Sequence, residues 1–251
     1  MNPLSPLLLV TGGSRGIGAA VARQAAARGY DVVVNYTRDA GAADAVATDV
    51  RAAGRLAWTF QADVADEGQV LAMFAMLDGL QRPLSALVNN AGVVDLPQRV
   101  DAMSGERFRR MFAINVFGSL YCAREAVRRM STKHGGAGGA IVNLSSAAAK
   151  LGSPNQYVDY AAAKGAIDSF TLGLAREVAA EGVRVNAVRP GIIETDIHAS
   201  GGLPDRARQL APQVPMQRAG TADEVAEAVL WLLSPAASYA TGTIIDITGG
   251  R

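Results

Sequence analysis

The sequence predicts an α/β fold: one doubly wound sheet of about seven parallel strands, with helices on both faces. Three observations predict it. Short apolar runs alternate with helical stretches along the whole chain, the pattern of a parallel sheet built from strand–helix–strand units. The first apolar run leads directly into a glycine-rich turn and then a helix, the way a phosphate-cradling unit begins. Polar clusters recur where the strands reach their carboxyl ends, and ligands sit there in sheets of this kind.

Leu7 to Val10 is short, apolar and ended by glycines, as a buried strand should be. TGGSRGIG follows at Thr11 to Gly18, then an alanine-rich helix from Ala19 to Arg28, stopped by Gly29. Glycines in such a turn let the backbone approach a pyrophosphate, and the helix N-terminus attracts its charge. The spacing Gly12, Gly16, Gly18 departs from the most familiar dinucleotide fingerprint, so the turn by itself could also be only a turn. Asp31 to Tyr36 is the second strand, and its end bears on cofactor choice. A carboxylate about 20 residues past the glycines holds the ribose of NAD, whereas a cation accommodates the phosphate of NADP. That place holds Asn35, Tyr36, Thr37 and Arg38, with no carboxylate before Asp39, and Arg15 offers a second cation from inside the turn. NADP is therefore the expected cofactor and NAD the lesser alternative. The competing reading makes both arginines ordinary solvated charges.

Ala40 to Ala53 reads as a helix and Leu56 to Gln61 as a strand. Asp63-Val64 closes that strand; Asp63 either caps the next helix or touches an adenine ring, and capping is the stronger reading on sequence grounds. Ser85 to Val88 is the fourth strand, ending in Asn89-Asn90-Ala91-Gly92. These residues make a turn in any protein and also leave space for a flat ring. Ser104 to Met130 reads as one long helix with Asn115 at its middle. Asparagine is an indifferent helix former, so Asn115 is either a satisfied core amide or a functional one. Cys122, in the same helix, reads as packing. Lys133 to Gly139, with four glycines, is a surface loop, and Ala140 to Leu144 is the fifth strand, ending in Ser145-Ser146. A helix from Tyr157 to Ala180 and a strand from Val183 to Val188 follow, the latter ending at Pro190-Gly191. From there to about Gly220 the pattern loosens, and an irregular stretch of that length is usually functional, often a lid. Ala222 to Leu233 is the final helix and Thr243 to Ile247 the final strand.

In the helix after the fifth strand, Tyr160 and Lys164 lie four residues apart in YAAAK, which stacks them on one helix face. A phenol ordinarily loses its proton near pH 10, and an adjacent ammonium is expected to bring that down toward neutrality. Such a pair suits proton exchange with an alcohol or carbonyl. Chance also places one tyrosine and one lysine in many helices.

Bulk composition narrows the classes. The chain has 251 residues, expected to form one domain over 1–251 with a substrate loop at about 191–220. Apolar residues make up 49%, enough for a large core. With 24 basic and 23 acidic side chains and a net charge of +1, no nucleic-acid or membrane-surface partner is expected. The apolar run at Leu7 to Val10 is far shorter than the roughly 20 residues of a membrane helix. A lone cysteine, Cys122, fits a reducing compartment, and the expected location is the cytoplasm.

The chain resembles the short-chain dehydrogenases/reductases, oxidoreductases of the Rossmann type, across essentially its whole length. The residues that carry the resemblance are TGGSRGIG at Thr11 to Gly18, Asp63-Val64, NNAG at Asn89 to Gly92, Asn115 within INV, Ser146, YAAAK at Tyr160 to Lys164, and Pro190-Gly191 with Thr195. Each is unspecific alone; their common order and spacing is highly specific. Ser146 stands 14 residues before Tyr160, about the family's usual distance, which makes Ser145 the weaker candidate. Tyr157 has Ala161 four residues on, so only Tyr160 carries the lysine.

The resemblance implies that Tyr160 passes a proton to a carbonyl oxygen or takes one from an alcohol. Lys164 would lower the Tyr160 pKa and bind the nicotinamide ribose, Ser146 would hydrogen-bond the substrate oxygen, and Asn115 would hold a water that links Lys164 to solvent. It implies cofactor contacts at Gly12, Ser14, Arg15, Gly16, Ile17, Gly18, Asn35, Tyr36, Thr37, Arg38, Asp63, Val64, Asn90, Ala91, Gly92, Tyr160, Lys164, Pro190, Gly191, Ile193 and Thr195, and no metal. It also implies a small carbonyl or alcohol substrate and a homotetramer built partly from the helices around Asn115 and Tyr160. Reductases of 3-oxoacyl carrier proteins and glucose-type dehydrogenases remain open, as do a non-catalytic dinucleotide sensor and a scaffolding subunit. An acyl carrier is acidic and calls for a basic patch, which Arg206, Arg208 and Arg218 or Arg99, Arg107, Arg109 and Arg110 could supply. Glu194, Asp196 and His198 read as solvated loop residues rather than substrate contacts.

Overall fold

The computed structural model describes residues 5–197 and 201–251. Seven strands form one sheet: β1 (Leu7–Val10), β2 (Asp31–Tyr36), β3 (Ala57–Gln61), β4 (Leu84–Asn89), β5 (Gly139–Leu144), β6 (Val183–Pro190) and β7 (Ile244–Ile247). Their order is β3-β2-β1-β4-β5-β6-β7 and every pairing is parallel. The order reverses direction between β1 and β4, the switch point at which such sheets open a crevice.

The central strands β1, β4 and β5 are buried on both sides because helices cover both. Leu8 and Val10 of β1, with Val32, Val34, Val88 and Val142, pack on α1 (Gly16–Ala27), α2 (Ala40–Ala52) and the last helix (Ala222–Leu233). Leu7 and Leu9, with Val33, Leu87, Ile141 and Val185, pack the other way, on α3 (Glu67–Gly79), α5 (Gly118–Met130) and α7 (Val158–Val178). The period-two alternation of side chains in a strand divides the core into these two layers.

Three departures from the sequence reading have physical causes. The stretch 104–130 is interrupted: α4 (Gly105–Phe112) gives way to a π-turn at Ala113–Phe117 before α5 begins. π-turns often mark functional sites, and this one carries Asn115. A short α6 (Ala148–Leu151), ended by Gly152 in the left-handed region, follows Ser146 and was not anticipated. The stretch 191–220 is less irregular than its prolines suggest. Ile193 bridges Gly220 in parallel, and α8 (Arg206–Leu210) runs into a 3₁₀ turn at Ala211–Gln213. The final helix, α9 (Ala222–Leu233), opens with a capping box between Thr221 and Glu224. Among the described residues no helix is long and apolar enough to cross a membrane.

Candidate active site

The glycine turn is held from three sides. Gly12 donates from its backbone to the Asn35 side chain at 3.1 Å, and Gly13 donates to the Asn35 carbonyl at 2.8 Å. Asn90 donates from its amide to the carbonyls of Thr11 and Gly12, at 3.0 and 2.9 Å. The Thr11 hydroxyl in turn accepts from the backbone of Asn90 and Ala91. Gly12 and Gly16 lie in the left-handed region, at φ 59° and 53°. A Cβ on Gly18 would meet Asn90 Nδ2 and the Gly12 carbonyl at 2.5 Å, so a side chain there is excluded. No side chain caps the N-terminus of α1, which leaves amide N–H groups of its first turn available to an anion. These features fit the pyrophosphate of a dinucleotide.

Arg15, in the glycine turn, is exposed; at the end of β2, Thr37 and Arg38 are exposed and Tyr36 is half-buried. Asp39 is engaged as the cap of α2, accepting from the Ala42 backbone at 2.9 Å. Among the described residues neither Arg15 nor Arg38 has a carboxylate partner. Asn35 is buried at 1% exposure and also donates to the Ala62 carbonyl; it supports the turn from beneath rather than facing the cleft. Val64 is buried too, and a Cβ on Gly118 would meet it at 2.6 Å, so its side chain seats α5. The capping expected of Asp63 falls to Asp66, which accepts from the Gln69 backbone at the start of α3. Asp63 instead accepts from Ala65 within its own turn. The cap lies three residues later because Asp66 directly precedes the first helical residue.

Ser146, Tyr160 and Lys164 line one cavity of about 460 Å³, together with Asn90, Gly92, Pro190, Gly191, Ile193 and Thr195. Ser145 lies in the wall, 3% exposed, with its hydroxyl donating to the Lys164 carbonyl. The buried Lys164 ammonium donates to the Leu144 carbonyl at 2.7 Å and stands 5.6 Å from the centroid of the Tyr160 ring. Asn115 is buried within the π-turn; it donates to the Val93 and Met111 carbonyls and accepts from the Val93 backbone. A Cβ on Gly92 would lie 2.8 Å from Asn115 Oδ1 and 3.6 Å from Lys164 Nζ, so this glycine is where the two side chains converge. Thr195 lies against Gly16, and Glu194 and Asp196 are exposed. His198 falls outside the described residues.

The electrostatics differ from the sequence expectation. Lys164 was expected to bring the Tyr160 phenol down, yet burial pushes it up to about 12, with hydrogen bonding to Ser146 acting in the opposite direction. Desolvation of the phenolate outweighs the Ser146 hydrogen bond, and the Lys164 ammonium is directed to the Leu144 carbonyl instead. Burial also brings Lys164 down to about 8, opposed by the charge of Asp168 one turn on.

Two supports were not legible in the sequence. Asn89 donates to Asn143 at 2.9 Å, and Asn143 donates to Thr171 at 2.9 Å, a buried polar chain from β4 through β5 to α7. Arg107 of α4 pairs with Asp159 at 2.7 Å, with side chains 6% and 0% exposed, and also donates to the Leu96 carbonyl. This tie fixes the residue beside Tyr160. No local signal links Arg107 to Asp159, 52 residues away.

A doubly wound sheet with a glycine cradle and a Ser–Tyr–Lys cluster at its switch-point crevice defines a nucleotide-dependent oxidoreductase. A family profile described as enoyl-(acyl carrier protein) reductase matches residues 12–251. The chain is 54% identical over 245 residues to the uncharacterized oxidoreductase YgfF of Escherichia coli K12, covering 98% of this chain and 99% of that protein. It is 37% identical to the 3-oxoacyl-[acyl-carrier-protein] reductase FabG of Staphylococcus aureus, covering 96% of each. A short chain dehydrogenase from Burkholderia cenocepacia, solved in complex with NADP, superposes with a TM-score of 0.89 at 34% identity, over 98% of this chain and 97% of that one. The chain belongs to the short-chain dehydrogenase/reductase family.

Proposed function

We propose that this enzyme is an NADP(H)-dependent oxidoreductase acting on a small carbonyl or secondary alcohol, with Tyr160 as the general acid or base. The observation that carries the reading is the meeting of Ser146, Tyr160 and Lys164 on one cavity wall beside the glycine cradle. When bound, the nicotinamide supplies the hydride chemistry. Ser146 orients the substrate oxygen and stabilises charge that develops on it. Tyr160, whose pKa burial raises, carries its proton at neutral pH and gives it to that oxygen during reduction. The Lys164 ammonium stabilises the resulting phenolate and holds the ribose. Asn115, converging with Lys164 at Gly92, supports a water through which the proton is replaced. Ser14, Ile17, Ala91, Pro190 and Gly191 complete the cofactor wall with the glycines.

NADP is favoured over NAD because Arg15, in the glycine turn, and Arg38, just past β2, are exposed while the nearest carboxylate, Asp39, is occupied in capping. A 3-oxoacyl-carrier-protein substrate is less well supported. Arg208 pairs with Asp205, Arg218 with Glu224, Arg110 with Asp95 and Arg107 with Asp159, so most of the candidate basic patch is already neutralised. The intact Ser146, Tyr160 and Lys164 argue against a non-catalytic sensor. We read residues 1–251 as one catalytic unit in which 191–220 forms the substrate loop, and place it in the cytoplasm on the strength of its lone, buried Cys122. The test is a panel of ketones, β-ketoesters, quinones and sugars followed by nicotinamide absorbance with NADPH and with NADH. The expected outcome is turnover of at least one carbonyl class, with kcat/KM about tenfold or more in favour of NADPH. A clear NADH preference overturns the cofactor assignment, and no turnover with either cofactor favours the sensor.

A further inference from the structure

We infer that Arg206 selects substrates carrying a carboxylate at the end remote from the reacting carbonyl, so that the natural substrate is a short aliphatic oxo acid. The inference rests on the reductase reading above and names the substrate class of that same cavity.

Its basis is the charge on the cavity wall. The charged side chains there are Lys164, Arg206 and Arg251, and no aspartate or glutamate lines it among the described residues. Lys164 is committed to the Leu144 carbonyl and to the chemistry at Tyr160. Arg206 is half-buried at the start of α8 and, among the described residues, has no carboxylate partner. Its neighbours in the chain and in the candidate basic patch do have one: Arg208 has Asp205 and Arg218 has Glu224. A half-buried guanidinium facing a cavity without a counter-ion is poised for an anionic ligand group.

Arg206 is also held in place. Its guanidinium lies 5.0 Å from the centroid of the Tyr157 ring and donates to the Gln156 side chain, two contacts that orient the planar fork. Tyr157 precedes Tyr160 by three residues at the start of α7, a rise of about 4.5 Å along a helix. Arg206 and Tyr160 line the same cavity, so the anion site and the proton donor face one ligand. The same cavity is also lined by the apolar side chains of Val94, Leu151, Pro154 and Ile197. One guanidinium backed by an aromatic ring and an amide matches a singly charged carboxylate, and the apolar wall matches a short aliphatic body.

The test compares a short aliphatic oxo acid, its methyl ester and a phosphorylated ketone on wild type, Arg206→Gln and Arg206→Lys, with thermal unfolding confirming that the variants fold. The expected result is a lower KM for the oxo acid than for its ester in wild type. In Arg206→Gln the KM for the acid rises about 10–100-fold, kcat changes by less than about twofold, and the ester is unaffected; Arg206→Lys recovers part of the loss. Equal KM values for acid and ester, or an indifferent Arg206→Gln, overturn the inference and leave the reductase reading standing. A phosphorylated ketone with the lowest KM overturns the carboxylate assignment in favour of phosphate. Calorimetry of the oxo acid with oxidised NADP present needs no turnover. If no carbonyl is reduced, the reductase reading fails, and binding that weakens at least about tenfold in Arg206→Gln still upholds the carboxylate site, while equal binding overturns it.

Discussion

Lys164 and Tyr160 titrate in opposite directions, and the signs have separate consequences. Burial brings Lys164 down to about 8 from 10.5. The folded chain therefore holds this proton less tightly than the unfolded chain, and the Lys164 contribution to stability rises as pH climbs from about 8 toward 10.5. Tyr160 is raised from 10.0 to about 12, so its contribution is complete below pH 10 and is lost as pH approaches 12. Across the interval from pH 8 to 10 the lysine is read by difference against a variant that keeps Cys122, because Cys122, whose thiol burial pushes up to about 12 from 9.0, acts in the opposite direction above pH 9. Urea unfolding across that interval should show wild type gaining roughly 1–3 kcal/mol relative to Lys164→Met. Parallel curves would mean that burial does not perturb the ammonium. With the phenol raised to about 12 and the amine near 8, both keep a proton at neutral pH, the arrangement that the proposed reduction uses.

At the scale of elements, the sequence is most legible where one local signal suffices. β1, β2 and α9 run between the residues at which their apolar patterns start and stop. The glycine turn was legible because backbone approach and a positive φ both demand glycine at fixed points. Elements whose form depends on distant partners were not legible. The π-turn at Ala113–Phe117 lies in a sequence that reads as plain helix, and Asn115 there bonds to Val93, 22 residues back. Asp63 and Asp66 are both sound caps by composition, and only the position of the first helical residue separates them. The direction of the Tyr160 shift was missed for the same reason: spacing reveals the neighbouring cation, but the depth of burial that opposes it comes from packing by other elements. The Arg107–Asp159 pair, buried and 52 residues apart, is long-range too. Breaking one partner of such a pair leaves an uncompensated buried charge, so it constrains the start of α7 firmly.

For the molecule as a whole, both faces of the sheet are covered, and the crevice opens where the strand order turns at β1 and β4. The polar ends of β1, β4, β5 and β6 all reach that crevice, and this convergence was visible from the alternation of elements alone. Outside it, Phe117 at the end of the π-turn and Leu172 on α7 are exposed at 48% and 39%. The homotetramer implied by the family resemblance would bury them, and light scattering should then return four times the 26.0 kDa chain mass; a monomer's mass would refute it. The central claim is narrower, that the phenol of Tyr160 exchanges the proton. Its most direct test is turnover of the best carbonyl of the panel by Tyr160→Phe, with NADPH affinity measured on the same preparation. The account predicts kcat lower by on the order of 10²-fold or more with cofactor affinity unchanged; near-normal turnover would contradict it.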